Sequence, residues 1–251
     1  MSEQHDWFDE ATAAAYDEDV AQDFAKEVVG PTVDFLAHLA RGGSALEFAV
    51  GTGRIALPLA ARGVRVHGIE LSEHMVRHLR VKPGGDAITV SIGDMATRRV
   101  EGEFDLVYLV FNTIMNLTTQ AQQVACFRNA ARHLRPGGAF VVEVMVPALA
   151  KLTPGEWRRA FSVSEDHIGV DEYDVVHQRI VSHHIHVDRT PPRFSLPCRY
   201  VWPSELDLMA QLADLEFDQR WEDWARAPFV ASSQGHVSVW RKPASAEDGV
   251  L

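Results

Sequence analysis

The stretch that most constrains this chain is residues 44–70, SALEFAVGTGRIALPLAARGVRVHGIE. A nearly continuous apolar run at 45–50 predicts a strand buried on both faces of a parallel sheet, and the glycine turn at 51–53 ends it. A short crossover helix follows, and residues 64–69 predict a second strand that leads to Glu70. Glycine suits such a turn because a residue without Cβ adopts positive φ easily and lets a ligand approach the backbone. A βαβ unit with a ligand at its first turn is therefore predicted.

Two kinds of nucleotide-like ligand fit this turn. Gly51-x-Gly53-x-x-Ala56 satisfies the dinucleotide fingerprint, with Glu70 near the distance expected for a carboxylate that binds ribose hydroxyls. Glu47 separates the two, because a carboxylate inside a buried strand is costly unless it is paired. Such a carboxylate favours a ligand with an ammonium group over a pyrophosphate. A βαβ turn without any ligand is the third alternative.

The spacing of these residues resembles a known family motif. Glu47-x-Ala49-x-Gly51-x-Gly53 is similar to the E/D-x-G-x-G-x-G motif of class I S-adenosylmethionine-dependent methyltransferases, with Ala49 in place of the first glycine. The resemblance implies S-adenosylmethionine as cofactor, with its ammonium group near Glu47 and its ribose on Glu70. From this stretch it implies a cofactor site made of Glu47, Ala49, Gly51, Gly53, Arg54, Glu70 and Leu71.

Further landmarks of the same family follow in order. A third strand at 87–92 ends in Gly93-Asp94-Met95, where the resemblance implies that Asp94 accepts from the adenine amino group and Met95 covers the ring. A fourth strand at 104–111 brings Phe111 to the edge where the methyl group and its acceptor meet. Near the start of the chain, the resemblance implies that Tyr16 touches the methionine end of the cofactor.

These patterns predict an α/β fold: a Rossmann-like, seven-stranded, mostly parallel sheet with a terminal antiparallel hairpin and an antiparallel β insertion after the fifth strand. The fifth strand is predicted at 139–146. We expect a single domain across residues 1–251. Its predicted parts are an N-terminal helical cap (1–43), a cofactor-binding core (44–146), a substrate-covering insertion (151–203), and a last helix and β-hairpin (204–242).

Finer predictions concern the cap, the insertion and the last helix. In the cap, Tyr16, Val20, Phe24 and Val28 predict one helical stripe, which Pro31 interrupts before a second helical piece. In the insertion, residues 174–187 and 194–201 predict antiparallel strands joined by a loop. The last helix is expected to turn four apolar side chains inward, Leu206, Met209, Leu212 and Ala213.

Charge and composition narrow the partners. The formal net charge is −11, and residues 1–30 hold nine acidic side chains and one lysine. This excess of negative charge repels a phosphate backbone and excludes nucleic acid as a substrate. The chain also lacks the Asn/Asp-Pro-Pro-Tyr/Phe motif of many DNA and protein-glutamine methyltransferases, which favours a small-molecule acceptor. Two cysteines, no leader pattern and no membrane-length apolar run predict a cytoplasmic protein without membrane partners.

Histidines supply the candidate catalytic residues. Five of the twelve histidines fall between His167 and His186, and a general base for methyl transfer is predicted there, with His177, His183 and His184 as the candidates. His236 is a further candidate. His184 and His186 would share one strand face at a spacing that can bind a metal, but no nearby cysteine or second histidine pair completes a site, so none is predicted. Solvated strand histidines are the alternative.

The predicted function is S-adenosylmethionine-dependent methyl transfer to nitrogen or oxygen of a small molecule. The segments Gly-Ile-Glu-Leu-Ser-Glu at 68–73 and Gly-Asp-Met at 93–95 look like those of bacterial amino-sugar N-methyltransferases, so an amino sugar or another secondary metabolite is the expected acceptor. Two alternatives stay open at this point. One is a nicotinamide-dependent Rossmann oxidoreductase, and the other is an S-adenosylmethionine-binding protein without catalysis.

Overall fold

The computed structural model of this protein describes residues 8–19, 21–187 and 193–244. Within these ranges the strands are β1 (Ser44–Phe48), β2 (Arg65–Glu70), β3 (Thr89–Ile92), β4 (Phe104–Leu109), β5 (Leu134–Met145), β6 (Arg158–Val163), β7 (His167–Asp174), β8 (Arg179–His186), β9 (Arg193–Arg199), β10 (Glu216–Trp221) and β11 (Gly235–Arg241). The α-helices are α1 (Glu10–Asp19), α2 (Lys26–Ala40), α3 (Ala56–Ala60), α4 (Glu73–Arg80), α5 (Gln120–His133) and α6 (Pro203–Gln211). Short 3-10 helices lie at Ala21–Phe24, Gly85–Ala87, Thr113–Asn116 and Ala148–Lys151.

The main sheet has seven strands in the order β3-β2-β1-β4-β5-β11-β10. The first five strands in sequence pair in parallel, whereas β11 runs antiparallel to both β5 and β10. The predicted seven-stranded sheet with a terminal antiparallel hairpin is therefore confirmed. The chain leaves β1 toward β2 and β3 and then returns to the other side of β1 as β4. The carboxyl ends of β1 and β4 consequently open a crevice, which is where ligands bind in open α/β sheets.

Both faces of the main sheet are covered. On one face Phe127 of α5 packs at right angles on Phe140 of β5 and close to Trp240 of β11. On the other face the apolar side of α2, including Phe35 and Leu36, packs over β1 and β4. Burial on both sides explains why β4 is apolar at almost every position, since helices leave neither face of a parallel sheet to solvent.

The second sheet has four antiparallel strands in the order β6-β7-β8-β9. Tyr173, Ile180 and Cys198 are neighbours across its ladders, and all three belong to the same hydrophobic core as α5 and α6. The face that carries them is therefore turned toward the main sheet; we call it the inner face, and the opposite one the outer face. An antiparallel insertion after the fifth strand is confirmed.

The insertion differs from its prediction in two respects. First, it has four strands rather than two, because neither β6 nor β7 was predicted. Second, the prediction of a single strand over 174–187 is wrong, because β7 ends at Asp174 and a turn precedes β8, with Gln178 at a φ of 53°. The turn resembles a strand in sequence because Val175 and Val176 are β-branched, which is typical of strands, but both are exposed here. The predicted loop between the last two strands of the insertion includes residues 188–192, which lie outside the described residues.

The N-terminal cap is also divided differently from its prediction. A single helical stripe is wrong, since α1 ends at Asp19, a 3-10 turn follows, and Val28 in α2 is 47% exposed. Val20 lies outside the described residues. Pro31 does not interrupt the helix but lies inside α2. The buried residues that follow it, such as Leu36 and Leu39, hold this helix against the sheet and offset the backbone hydrogen bond that proline cannot make.

Two smaller corrections concern the carboxyl half. Strand β5 begins at Leu134 rather than residue 139, because residues 135–138 form an irregularity in the ladder between β4 and β5. Helix α6 buries Leu206 and Met209 as predicted, but Leu212 follows its last residue and is 56% exposed. No helix among the described residues is both long enough and apolar enough to cross a lipid bilayer.

Candidate active site

A cleft of about 330 Å³ opens at the carboxyl ends of β1 and β4. Six of the residues predicted to contact the cofactor line it: Tyr16, Glu47, Ala49, Gly51, Arg54 and Phe111. The other lining residues are Val50, Thr52, Ile55, Val110 and Thr113. The remaining predicted cofactor residues, Gly53, Glu70, Leu71, Asp94 and Met95, do not line this cleft, and each is placed below.

The glycine turn has a backbone that glycine adopts more easily than other residues. Gly51 has a φ of 55° and Gly53 a φ of 86°. A Cβ on Gly53 would lie 3.0 Å from the side chains of Leu57 and Leu79, so this position is closed to larger residues by both conformation and packing. Ala49 also has a positive φ of 55°. The family motif has glycine there, and the alanine of this chain pays a left-handed strain of about 1 kcal/mol.

Glu47 lies on β1 at the floor of the cleft and is 3% exposed. The hydroxyl of Tyr108 on β4 donates a hydrogen bond of 2.8 Å to its Oε2. Burial raises the pKa of Glu47 to about 8, although the Tyr108 hydrogen bond and the nearby Arg54 guanidinium oppose this rise. A cation in the cleft would stabilise the ionised carboxylate, so the site fits a ligand with an ammonium group.

Glu70 ends β2 directly beside the glycine turn. Its Oε2 accepts from the backbone N–H of Gly51 at 2.8 Å, and its Oε1 accepts from the N–H groups of Leu71 and Ser72, both at 2.9 Å. The carboxylate therefore holds the turn and the start of the next loop in one conformation. Its position between these two loops fits the predicted role of binding vicinal hydroxyls.

The N-terminal cap lies over the glycine turn. Asp17 accepts a hydrogen bond of 2.5 Å from the Thr52 hydroxyl and pairs with Lys82, which also donates to the Thr52 carbonyl at 2.9 Å. These contacts hold α1 against the cleft and place Tyr16 in its wall. Burial raises the pKa of Tyr16 to about 12, so its phenol stays protonated at neutral pH.

The turn after β4 forms the opposite wall. The guanidinium of Arg54 lies 4.5 Å from the ring centroid of Phe111. Phe111 and Asn112 have positive φ values of 58° and 61°, a conformation that costs energy in residues other than glycine. Glu143 of β5 offsets this cost, because its Oε2 accepts from the Phe111 N–H at 2.8 Å. Backbone strain of this kind is typical of ligand sites, where contacts with the surrounding structure stabilise the strained conformation.

Asp94 and Met95 follow β3 at the same edge of the main sheet. The Oδ1 of Asp94 accepts from the Ala96 N–H at 2.7 Å, and burial raises the pKa of Asp94. Met95 is 5% exposed and packs in the core on the α5 side, where the side chain of Asn129 donates to its carbonyl at 2.8 Å.

The insertion adds an acid that the sequence did not single out. Asp171 of β7 is on the inner face, opposite Arg159 of β6 and Ser182 of β8. Burial raises the pKa of Asp171, whereas the Ser182 hydroxyl favours its ionised form. The same face is anchored beside the cleft, because Cys198 Sγ lies 3.8 Å from Asn116 Oδ1 in the helix that begins at Thr113. Asp171 is two residues before Tyr173, and residues at this spacing share one face of a strand. Once Tyr173 is known to be on the inner face, the sequence therefore places Asp171 there too.

None of the four histidines predicted as bases lines the cleft. His184 is on the inner face of the insertion, in β8. His177 is exposed in the turn between β7 and β8 and pairs with Asp174 at 2.7 Å. His183 is on the outer face of the insertion, where its Nδ1 lies 2.8 Å from the Ser195 hydroxyl. His236 is 1% exposed in β11, its Nδ1 lies 2.8 Å from the Ser238 hydroxyl, and burial lowers its pKa to about 4.

Known proteins resemble this chain in both sequence and structure. Residues 45–138 match the model of a methyltransferase domain. The solved structure of the CcbJ methyltransferase from Streptomyces caelestis is 37% identical, covers 85% of this chain and 89% of its own, and superimposes with a TM-score of 0.77.

Two curated proteins are also similar to this chain in sequence. The cypemycin N-terminal methyltransferase of a Streptomyces species is 26% identical over 90% of this chain and 97% of its own length. A dTDP-3-amino-3,4,6-trideoxy-alpha-D-glucopyranose N,N-dimethyltransferase of Streptomyces venezuelae is 37% identical over 40% of this chain and 41% of its own.

Proposed function

Because this chain belongs to the class I S-adenosylmethionine-dependent methyltransferases, we propose that it methylates the nitrogen of a small-molecule amine. The observation that carries this proposal is the cleft at the ends of β1 and β4, with Glu47 buried at its floor. One curated relative is named as an N-terminal methyltransferase and the other as an N,N-dimethyltransferase, which supports nitrogen over oxygen. A nicotinamide-dependent oxidoreductase is not favoured.

We propose that the cofactor is held by residues of α1, of β1 and the glycine turn after it, of the end of β2 and of the turn after β3. Glu47 would accept the ammonium group of S-adenosylmethionine, Glu70 the ribose hydroxyls, and Asp94 the adenine amino group. The backbone at Gly51 would lie against the ligand, and Tyr16 would cover its methionine end. When bound, S-adenosylmethionine supplies an electrophilic methyl group on a sulfonium.

We propose that the insertion, residues 151–203, covers the acceptor within one methyltransferase domain. An amine is mostly protonated at neutral pH, so the site must first attract a cation and then remove its proton. Asp171 is suited to both steps, because it is a carboxylate on the inner face whose pKa is raised by burial. With S-adenosylmethionine bound, the site would hold the neutral amine in line with the S–CH₃ bond, so that its lone pair could take the methyl group while the S–C electron pair returns to sulfur as a thioether. This proximity would supply most of the acceleration.

The formal net charge of −11 supports a small molecule rather than a nucleic acid as partner. The two cysteines of the chain, Cys126 and Cys198, are free and buried, which agrees with a reducing compartment. We therefore propose the cytoplasm as the site of action.

The experiment is a turnover screen that offers amine and hydroxyl acceptors in parallel, with product mass as readout. We expect mass increases of one methyl group or more on amines and none on matched alcohols. Titration calorimetry should give binding of S-adenosylmethionine and none of NADH. Turnover of alcohols alone would contradict the choice of nitrogen, and binding without any turnover would support a non-catalytic protein.

Asp171→Asn tests the acceptor site. We expect KM for the amine to rise or kcat to fall by at least ~10²-fold, as for the loss of a general base, while the S-adenosylmethionine Kd is unchanged. Glu172→Gln is the matched control, because it changes a neighbouring carboxylate on the outer face of the same strand, where Glu172 pairs with Arg158. Equal losses in both variants would contradict a specific role for Asp171.

A further inference from the structure

Three histidines meet on the inner face of the insertion. His167 of β7 lies directly opposite His186 of β8, and His184 is two residues away on the same face of β8. Each imidazole offers one nitrogen, and these three nitrogens lie within 4.8 Å of one another. Sequence spacing alone did not predict this group, because His167 is 17 residues before His184 and only the hairpin register brings it alongside.

The distances are close to those of a metal site. The Nε2 of His167 lies 3.2 Å from the Nδ1 of His184, and the ring centroids of His167 and His186 are 4.7 Å apart. Two imidazole ligands of a tetrahedral Zn²⁺, each with a bond of about 2.0–2.1 Å, have their nitrogens about 3.3 Å apart. The pair His167 and His184 already has this separation, and the His186 nitrogen lies within 4.8 Å of both.

Hydroxyl groups hold the far nitrogens of two of these rings. The Nδ1 of His167 lies 3.1 Å from the Ser162 hydroxyl, and the Nε2 of His184 lies 3.4 Å from the Ser182 hydroxyl. Histidine ligands of metals typically have such a partner on the second nitrogen, which sets the ring orientation and leaves the first nitrogen for the metal. In both rings the nitrogen without a serine partner is the one that faces the other ring.

We propose that His167, His184 and His186 bind a divalent transition-metal ion, for which Zn²⁺ is the test ion. Imidazole nitrogen favours Zn²⁺, Ni²⁺ and Cu²⁺, whereas Mg²⁺ and Ca²⁺ prefer oxygen ligands. Phe161 and Phe194 lie beside His184 at ring-centroid distances of 5.4 and 6.2 Å, so the histidine cluster is bordered by aromatic rings.

A carboxylate from another part of the fold adds negative charge near these histidines. Asp19, the last residue of α1, acts electrostatically on His184. A negative charge at this distance favours a cation at the three histidines. With three protein ligands, the fourth position of a tetrahedral ion would be taken by water.

The test uses the full chain without a histidine tag, after removal of bound metal with a chelator. Titration calorimetry with ZnCl₂ should give one ion per chain, MgCl₂ should give no binding, and Co²⁺ should give the visible absorption of a tetrahedral complex. We expect His184→Ala and His167→Ala each to weaken Zn²⁺ binding more than ~100-fold, because loss of a second-shell partner alone costs ~10–100-fold.

His183→Ala is the matched control, since it removes the adjacent histidine from the outer face of the same strand. Its Zn²⁺ affinity should equal that of the wild type. The proposal is overturned if the wild type does not bind Zn²⁺, if its Co²⁺ complex is octahedral, or if His183→Ala loses as much affinity as His184→Ala. Circular dichroism and S-adenosylmethionine binding check the folding of each variant, and the Co²⁺ spectrum of the wild type decides the matter if a variant does not fold.

Discussion

Replacing Glu47 with glutamine should stabilise the protein without ligand and weaken its binding of S-adenosylmethionine. The side chain is 3% exposed, and its pKa is raised from an ordinary 4.5 to about 8, mainly by burial. Glutamine keeps the shape and can still accept the hydrogen bond from Tyr108, but it never has to ionise. The substitution therefore removes the energetic cost of a buried charge from the folded state. It also removes the carboxylate that we propose binds the ammonium group of S-adenosylmethionine.

The sign and size of the effect follow from proton linkage. In the unfolded chain Glu47 loses its proton near pH 4.5, whereas in the folded protein it keeps it until about pH 8. Between these values the folded state binds more protons, so the stability of the wild type falls as pH rises, by about 1.4 kcal/mol per pH unit. Over the whole interval this is of the order of 5 kcal/mol, an upper figure because water and local rearrangement reduce it.

Urea unfolding of wild type and Glu47→Gln at pH 5, 6.5 and 8 measures this difference. We expect the stability advantage of the variant to be small at pH 5 and to grow by several kcal/mol up to pH 8. Calorimetry in buffers of different ionisation enthalpy should show that S-adenosylmethionine binding to the wild type at pH 7 releases a proton, and that the variant releases none. A stability difference that is constant with pH would refute the reasoning.

Three other substitutions test the site and the fold. Glu70→Ala should weaken S-adenosylmethionine binding by about 1.5–3 kcal/mol, roughly 10- to 150-fold, and also lower Tm, since the carboxylate accepts three backbone hydrogen bonds; unchanged calorimetric affinity in a folded variant would remove Glu70 from the site. Gly51→Val should abolish calorimetric binding, because valine is strained at a φ of 55°, and normal affinity in the folded variant would mean that the turn does not hold the cofactor. Arg199→Met should cost about 3 kcal/mol in urea unfolding, because it leaves Glu205 without its ion-pair partner at 2.7 Å; a loss below 1 kcal/mol would show that this pair is dispensable.

The half of the chain that forms the main sheet was largely predictable from sequence. Buried parallel strands are short apolar runs, and the glycines between them mark places where only one residue type is free of strain, so both signals are local. The capping box of Thr119 and Gln122 is another local signal, and both of its hydrogen bonds are present at the start of α5. The helical cap was less predictable, because the same apolar spacing fits one helix or two helices separated by a turn.

The insertion depended much more on tertiary structure. Alternation along β7 and β8 assigns residues to two faces, but it does not say which face is turned toward the main sheet. His183 and His184 are adjacent in sequence and lie on opposite faces, and only the burial of Tyr173, Ile180 and Cys198 identifies the inner one.

Sequence by itself determined where the main strands lie along the chain, the glycine turn and the carboxylates at the strand ends. Each of these features depends on neighbours within a few residues. Tertiary structure alone decided that Glu70 binds the backbone of the turn, that Asp171 is on the inner face and that His167 joins His184 and His186. These contacts join residues from different strands and loops. Their geometry is set by ladder register and by packing between sheets, which are properties of the folded chain as a whole.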